Sequence, residues 1–445
     1  MMPPIAWPAR SLQGCRRWLW RRLGPLLLAP AALAPIAAAR PVAAEPGSAE
    51  PVSAEPVSAQ PTAPQPLWPS LQSRLGLPGW IKLDLALTAE PFVGEAPSLG
   101  VAGAWMQQLV LNTTLSSGLT RDTTQWREID RWAVNLQLST FSGNANLGQT
   151  LGTAFPLQTT AHPVGLWLTE AAVERRSAGG ALFFKAGVLP LNPGFVQAPV
   201  LNSYIHSALN NTLNLETYGL PINPFAAPGA TAHLRLGHGS ELRLGQFWLE
   251  PVNGIAALFG VNPRQPSVGG SLQILQWNLH DLPGAASARR PLLHNRQPIA
   301  RQLPPPLLQI GAYNTTNPDS NQVVYGLLTL DAPLPLGLDH RLWFGLNQGF
   351  DPQNNPNPSF LAGGWLAQGL VPGRPLDVLA VGYGSTSFSQ VLTPGLRPEG
   401  VLELNYTIPI SSQLSIQPVL QWILQPGGSN RAAVVAAGMQ LSLSF

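Results

Sequence analysis

Ionisable residues fall at every second position in two stretches of this sequence. Thr231, His233 and Arg235 alternate with Ala232, Leu234 and Leu236; Glu241, Arg243 and Gly245 alternate with Leu242, Leu244 and Gln246. Glu170 and Lys185 sit in similar surroundings earlier in the chain. Carboxylates and a histidine can do acid–base work, but no spacing singles out a pair. There is no His-Glu-x-x-His, no Gly-x-Ser-x-Gly and no phosphate-binding Gly-rich loop with its Lys. We therefore expect no enzyme, no cofactor and no metal site. The stretch FVQAPVLNSYIHSALNN carries different chemistry, with Phe195, Asn202, Tyr204 and His206. Aromatic faces stack on apolar ring faces and amides bond hydroxyls, as a sugar requires. The plainer readings are a solvated wall for the charges and a loop with its own small core for the aromatics.

A period of two demands strands. The chain ends on LELNYTIPISSQLSIQPVLQWILQPGGSNRAAVVAAGMQLSLSF, three alternating runs of about nine to thirteen residues, long enough to cross a bilayer at a tilt. From Val434, the even positions of the last run are small or polar and the odd ones carry Val435, Met439, Leu441, Leu443 and Phe445. Backbone groups in lipid must all be paired, so such strands close into a barrel, the last pairing with the first. Similar runs recur from Ile81: IKLDLAL, AWMQQLVLNTTL, RWAVNLQLSTF, GLWLTEAAVE, ALFFKAGVL, TAHLRL, ELRLGQFWL, SLQILQWNL, LLQIGAY, QVVYGLLTL, HRLWFGLNQ, FLAGGWLAQ and LDVLAVGYG. FLAGGWLAQ alternates least. The total predicts an all-β transmembrane antiparallel barrel of about sixteen strands, wide enough for a watery lumen. A charge facing lipid costs about 2–4 kcal/mol at mid-bilayer, so Glu170, Lys185, His233, Arg235, Glu241 and Arg243 should face inward.

The N-terminal stretch has the parts of a secretory signal: Arg10, Arg16, Arg17, Arg21 and Arg22, then the apolar LGPLLLAPAALAPIAAA, then PVAAEP. We expect residues 1–44 to be a cleaved signal peptide, residues 45–79 a disordered Ala/Glu/Pro/Ser leader, and residues 80–445 the barrel. Cleavage removes six arginines, Arg40 the last, and no acid. The 25 basic residues become 19 against 22 acidic, so the net charge passes from +3 to −3. The basic balance belongs to the precursor, and nucleic-acid binding is not expected. Cys15 leaves with the signal, and no cysteine remains for a disulfide or thiolate site. An exported, cysteine-free, strand-patterned chain points to the outer membrane of a Gram-negative-type cell.

With both ends in the periplasm, turns after even strands should be short, and SAGG, GHGS and ISSQ are. The long stretch 190–229 follows the fifth strand and falls on the outside. Residues 281–306, DLPGAASARRPLLHNRQPIARQLPPP, break the rule, being long and periplasmic.

Several blocks resemble the carbohydrate-selective outer-membrane porins (OprB type), particularly their cyanobacterial branch. They are the closing three strands with QP and PGG, GLVPGRPLDVLAVGYG, LTEAAVERR followed by LFFKAGVLPLNPGFV, and LQIGAYN. The resemblance implies a passive pore for sugars and other small hydrophilic solutes, with small ions the alternative cargo, and outer-membrane lipid around it. It also implies that Phe445 is read by the barrel-assembly machinery, and leaves room for a homo-oligomer. Cyanobacterial relatives often carry a wall-gripping domain before the barrel, where this chain has only its Pro-rich leader; a structural tether between membrane and wall is the other alternative. The segment 281–306 has no counterpart in the family pattern. We expect stretch 190–229 to narrow the pore. A three-residue turn, His238 to Ser240, would set Arg235 opposite Arg243 as a positive strip.

Overall fold

The computed structural model describes residues 64–117, 131–210, 220–237, 239–249, 270–282, 291–316 and 320–445. The expected signal peptide, and the leader as far as residue 63, lie outside the described residues. Strands β1 (Ile81–Ala96), β2 (Gly100–Ser116), β3 (Arg131–Gly143), β4 (Gly165–Arg176), β5 (Leu182–Leu189), β6 (Ala227–Gly237), β7 (Ser240–Trp248) and β8 (Ser271–Leu279) form the first half of the wall. Two short strands, β9 (Leu292–His294) and β10 (Gln297–Ile299), make a separate hairpin. The second half is β11 (Leu307–Thr316), β12 (Ser320–Asp331), β13 (Asp339–Gly349), β14 (Ser359–Gln368), β15 (Val378–Thr386), β16 (Glu399–Pro409), β17 (Leu414–Leu424) and β18 (Val434–Ser444).

Sixteen antiparallel strands close the barrel, each beside its neighbour in sequence apart from the β8–β11 junction that skips the hairpin. Closure runs through β1 and β18, where Ala86 pairs with Ser444 and Glu95 with Val435. The final strand therefore has no open edge, which answers the aggregation hazard of its apolar alternation. Leu234, Leu236, Leu244, Leu402 and Leu404 are exposed on the outer face, as the period predicts. Trp80 and Trp132 stand exposed toward one rim and Trp105 and Trp248 toward the other, the two aromatic girdles of a membrane barrel. Both ends of the wall, Ile81 and Ser444, lie on the rim with the short turns 177–181 and 410–413, which marks it as periplasmic.

Two irregularities re-aim side chains. Between β3 and β4 the register slips so that Gln137 faces Glu170 and Leu138 faces Leu168. Thr169 is the extra residue, and both it and Glu170 reach inward: Thr169 bonds Ser139 at 2.9 Å and Glu170 accepts from Lys185 at 2.7 Å. The second irregularity corrects the expected β6–β7 register. Gly237 pairs with Ser240, Arg235 with Glu241, and Arg243 with His233, so the two arginines are not opposite each other. The Gly237–Ser240 pair makes the turn tighter than the expected three residues, and Leu236 is the extra residue that restores the faces. Positive φ at Gly237 (87°) and Gly239 (68°) permits this tighter turn.

Candidate functional site

The site is the lumen, and its geometry is set by connections that fold into it. The β3–β4 connection carries helix α2 (Leu147–Leu151); the β5–β6 connection carries a 3-10 turn at Pro199–Ser203. Both leave the extracellular rim and turn inward, where Ser207 donates to the carbonyl of Pro156 at 2.9 Å. They pack on the inner wall as a small protein packs on its core. Phe155, Leu201, Tyr204 and Leu209 are buried with Trp343, Phe360, Leu366 and Val401 of the far strands.

Three lumen-facing glutamates hold these loops. Glu403 accepts the backbone N–H of Ile205 (2.8 Å) and of His206 (2.6 Å), and is steadied by Asn405 (2.7 Å) and Gln421 (3.1 Å). Glu90 accepts the Thr160 N–H (2.9 Å), the Thr160 hydroxyl (2.6 Å) and Gln440 (2.6 Å). Glu399 accepts Ala154 N–H at 2.8 Å and Gly427 N–H at 2.6 Å. Charged acceptors make the stronger hydrogen bonds, about 1.5–3 kcal/mol each, so buried carboxylates facing peptide N–H groups act as clamps. None of the three was picked out in the sequence. The available signal was an acid on the inner face of a strand with no cation opposite it: Glu403 faces Gln421, and Glu90 faces Met106.

Glycines make room for the loops. Gly364 and Gly382 pair across β14 and β15 on the inner face, and a Cβ at either would lie 2.4 Å from Tyr204. The Tyr204 hydroxyl instead donates to the Val381 carbonyl (3.0 Å) and accepts from Trp343 Nε1 (2.8 Å). A Cβ at Gly245 would meet the Phe195 ring at 2.9 Å. FLAGGWLAQ alternates weakly because its inner face is emptied for a loop.

The sequence-selected residues separate into two groups. Glu170, Lys185, His233, Arg235, Glu241 and Arg243 share the inner wall of β4 to β7. Lys185 bridges Glu170 (2.7 Å) and Glu174 (4.0 Å), and Arg131 pairs with Glu174 at 3.0 Å. Arg243 pairs with Glu241 at 2.7 Å and donates to the Gly194 carbonyl at 2.6 Å, tying the loop to the wall. His233 lies 3.7 Å from Glu241 and against Phe183 and Phe195, and Arg235 is exposed. The loop residues divide differently. Phe195 and Tyr204 are each only 1% exposed, their faces spent on packing, whereas Asn202 is exposed beside Gln197.

The segment 281–306 also acquires a place. Its described part forms the β9–β10 hairpin through a turn at Asn295 and Arg296, both at positive φ, at the periplasmic mouth. Past the hairpin, Arg301 pairs with Asp339, Gln368 binds the Ala300 carbonyl (2.9 Å), and Arg341 donates to the Pro304 carbonyl (2.7 Å). Leu303 then joins the core under Trp343. At the same rim, Trp68 stacks on Phe445 with centroids 5.4 Å apart.

A closed sixteen-stranded barrel with an apolar outside, a polar inside and loops folded into its lumen is an outer-membrane porin. Its residues 339–445 match the family model described as carbohydrate-selective porin, OprB family. The high-pH structure of Pseudomonas putida OprB aligns over 82% of this chain and 94% of its own, at 15% identity and a TM-score of 0.65. The low-pH structure of the same protein aligns over 86% and 100%, at 14% identity and a TM-score of 0.51. At these identities the likeness is one of fold. No curated protein matches the chain.

Proposed function

We propose that solutes cross this barrel by passive diffusion through an aperture set by its two inward loops. The observation that carries the reading is the attachment of residues 190–210 at both ends, to the far wall through Glu403 of β16 and to the near wall through Arg243 of β7. A loop fixed at both ends narrows a pore without a moving part or an energy source. Glu170, Lys185, His233, Arg235, Glu241 and Arg243 line the route, and Asn202 meets the solute; Phe195 and Tyr204 support the loop that carries it. The test is conductance in planar bilayers. Replacing residues 197–209 by a short Gly/Ser linker should raise it, and an unchanged value would place the loop outside the conducting path.

A second reading, passage of inorganic ions with no sugar site, is favoured by the charged wall alone. A sugar flux that saturates with concentration separates the two. The same proposal includes the remaining expectations: export by residues 1–44, a leader over 45–79, a lipid belt, assembly through Phe445, a homo-oligomer and a cyanobacterial envelope. The terminal ring of Phe445 and the C-terminal family match support the assembly role.

A further inference from the structure

The seam that closes the barrel is interrupted. Ala86 to Ala89 pair with Ser444 to Leu441, and Phe92 to Glu95 pair with Gly438 to Val435, but Glu90 and Pro91 fall between the two runs. Pro91 has no N–H to give to a ladder. Along its other edge β1 pairs with β2 without a break from Ile81 to Ala96. Ile81 to Leu85 also run on past the last of the seam pairs toward the periplasm. There the Phe445 N–H donates to the Leu85 carbonyl at 2.9 Å.

Residues 64–70 cross the seam at this end. Gln413, in the turn between β16 and β17, accepts the N–H groups of Leu67 (2.9 Å) and Trp68 (3.0 Å) on its Oε1. Its Nε2 donates to the Trp68 carbonyl at 2.8 Å. One amide side chain thus both accepts and donates, as a neighbouring strand would. Trp68 Nε1 donates to the Ser444 carbonyl at 3.1 Å, and the indole lies on the Phe445 ring with their planes 23° apart. The Ser412 N–H donates to the Gln65 carbonyl at 3.3 Å. The chain then reaches β1 through a short helix at Leu71–Arg74. It is therefore held on both sides of the seam, since β18 separates β1 from β17. Pro64, Pro66 and Pro69 favour extended backbone here and lower the entropy lost on docking.

We propose that residues 64–70 are a strap that docks once β18 has closed on β1, locks the seam at its periplasmic end, and covers the chain terminus against any partner that reads it. The order follows from the contacts. The strap's seat is composite, the β16–β17 turn together with the end of β18, and it exists only when β18 lies against β17. The Ser444 N–H makes that join, donating to the Gln413 carbonyl at 2.9 Å. A partner that recognises a C-terminal aromatic ring needs the face of Phe445 that Trp68 covers, so partner and strap exclude each other. The masking rests on the assembly role proposed above for Phe445; the lock on the seam does not.

The test uses the full chain, exported and extracted as folded barrel. One readout is the rate at which the compact form is lost in hot detergent. The other is release of Phe445 by a carboxypeptidase that prefers aromatic ends, followed by mass. Trp68→Ala and Gln413→Ala should each speed both about tenfold, the scale of one or two lost contacts that form late. Trp132→Ala removes a tryptophan of the same rim, 5.0 Å from the Arg175 guanidinium and away from the seam, and should change neither. Equal rates in wild type and both strap variants, or equal acceleration by Trp132→Ala, overturn the proposal. So does loss of folded barrel in both strap variants, because a strap that docks last is not needed for closure. A second measurement stands apart from those variants. Gln65→Cys combined with Ser412→Cys, in a chain whose one native cysteine is Cys15, should form a disulfide in the membrane and slow unfolding until it is reduced. No crosslink under oxidation would also overturn the strap. Normal barrel levels after deletion of Phe445 would remove the assembly role alone and leave the seam lock to the heat and crosslink readings.

Discussion

Glu403 of β16 holds His206 of the inward loop by its peptide N–H, at 2.6 Å, while its other oxygen takes the N–H of Ile205. Both donors belong to the backbone, so the bond fixes where the loop lies whatever its side chains do. Glu403→Gln keeps the shape but turns one acceptor into a donor facing an N–H. Losing one bond of about 1.5–3 kcal/mol should shift loop docking by more than tenfold. Single-channel recordings should show higher and noisier conductance, with normal amounts of heat-modifiable barrel.

Gly382→Ala tests the same docking from the steric side. Its Cβ would stand 2.4 Å from a Tyr204 ring carbon, so ring and loop must move. We expect raised conductance, and a smaller rise for Tyr204→Phe, which loses the hydroxyl's bonds to Val381 and Trp343. Of the two, only Tyr204→Phe should leave the loop near its place, since the ring still packs on Gly364 and Gly382. Equal conductance changes in both variants would contradict this.

Selectivity should follow the charge count of one wall. On the inner face of β3 to β7, Arg131, Arg176, Lys185, Arg235 and Arg243 face Glu170, Glu174 and Glu241, five against three, a net of +2. Replacing Arg235 and Arg243 with glutamine brings it to zero. The reversal potential in a salt gradient should move toward cations. Arg243→Gln should also raise conductance, because Arg243, unlike Arg235, holds the Gly194 carbonyl among the described residues.

Loop docking should weaken in acid. Burial pushes His206 from about 6.5 to about 3, and its Nδ1 accepts the Ala208 N–H at 3.2 Å, which needs the neutral ring. In an undocked loop it would titrate near 6.5 and bind more protons, so docking is favoured by rising pH. The contribution is whole above about 6.5, declines by about 1.4 kcal/mol per unit below it, and is spent near 3. Channel noise should increase across that window, and less so in His206→Asn.

Deleting Phe445 should lower the folded barrel in the membrane while export continues. Trp68→Ala, which removes only the ring stacked on Phe445, should leave assembly unchanged. Normal barrel levels in the deletion strain would dismiss an assembly role for the terminal ring.

The wall was legible because its code is local. Alternation at Leu402 to Thr407 or Leu234 to Leu236 sets the face of every residue, and lipid outside makes that face obligatory. All sixteen barrel strands were marked this way, including the weakly alternating one. The β6–β7 register was not legible, since Leu236 is an added residue that leaves the alternation unbroken on either side. The loop clamps were hidden for another reason. Glu403 meets residues nearly two hundred positions away, and what it meets is peptide N–H, which every non-proline residue carries. Tyr204 read as a solute contact because its packing partners, Gly364 and Gly382, show in sequence only as missing side chains.

The clamps also bear on how such a channel can change. Glu90, Glu399 and Glu403 each grip at least one main-chain amide, and a main-chain amide survives almost any substitution. The wall therefore offers a socket rather than a matched pair. Loops of suitable length can exchange their exposed residues, and with them the cargo admitted, while their seating stays put. Variation can accumulate in the aperture without passing through an unseated intermediate. Grafting foreign sequence between the gripped amides becomes a practical way to build channels of chosen taste on one unaltered frame.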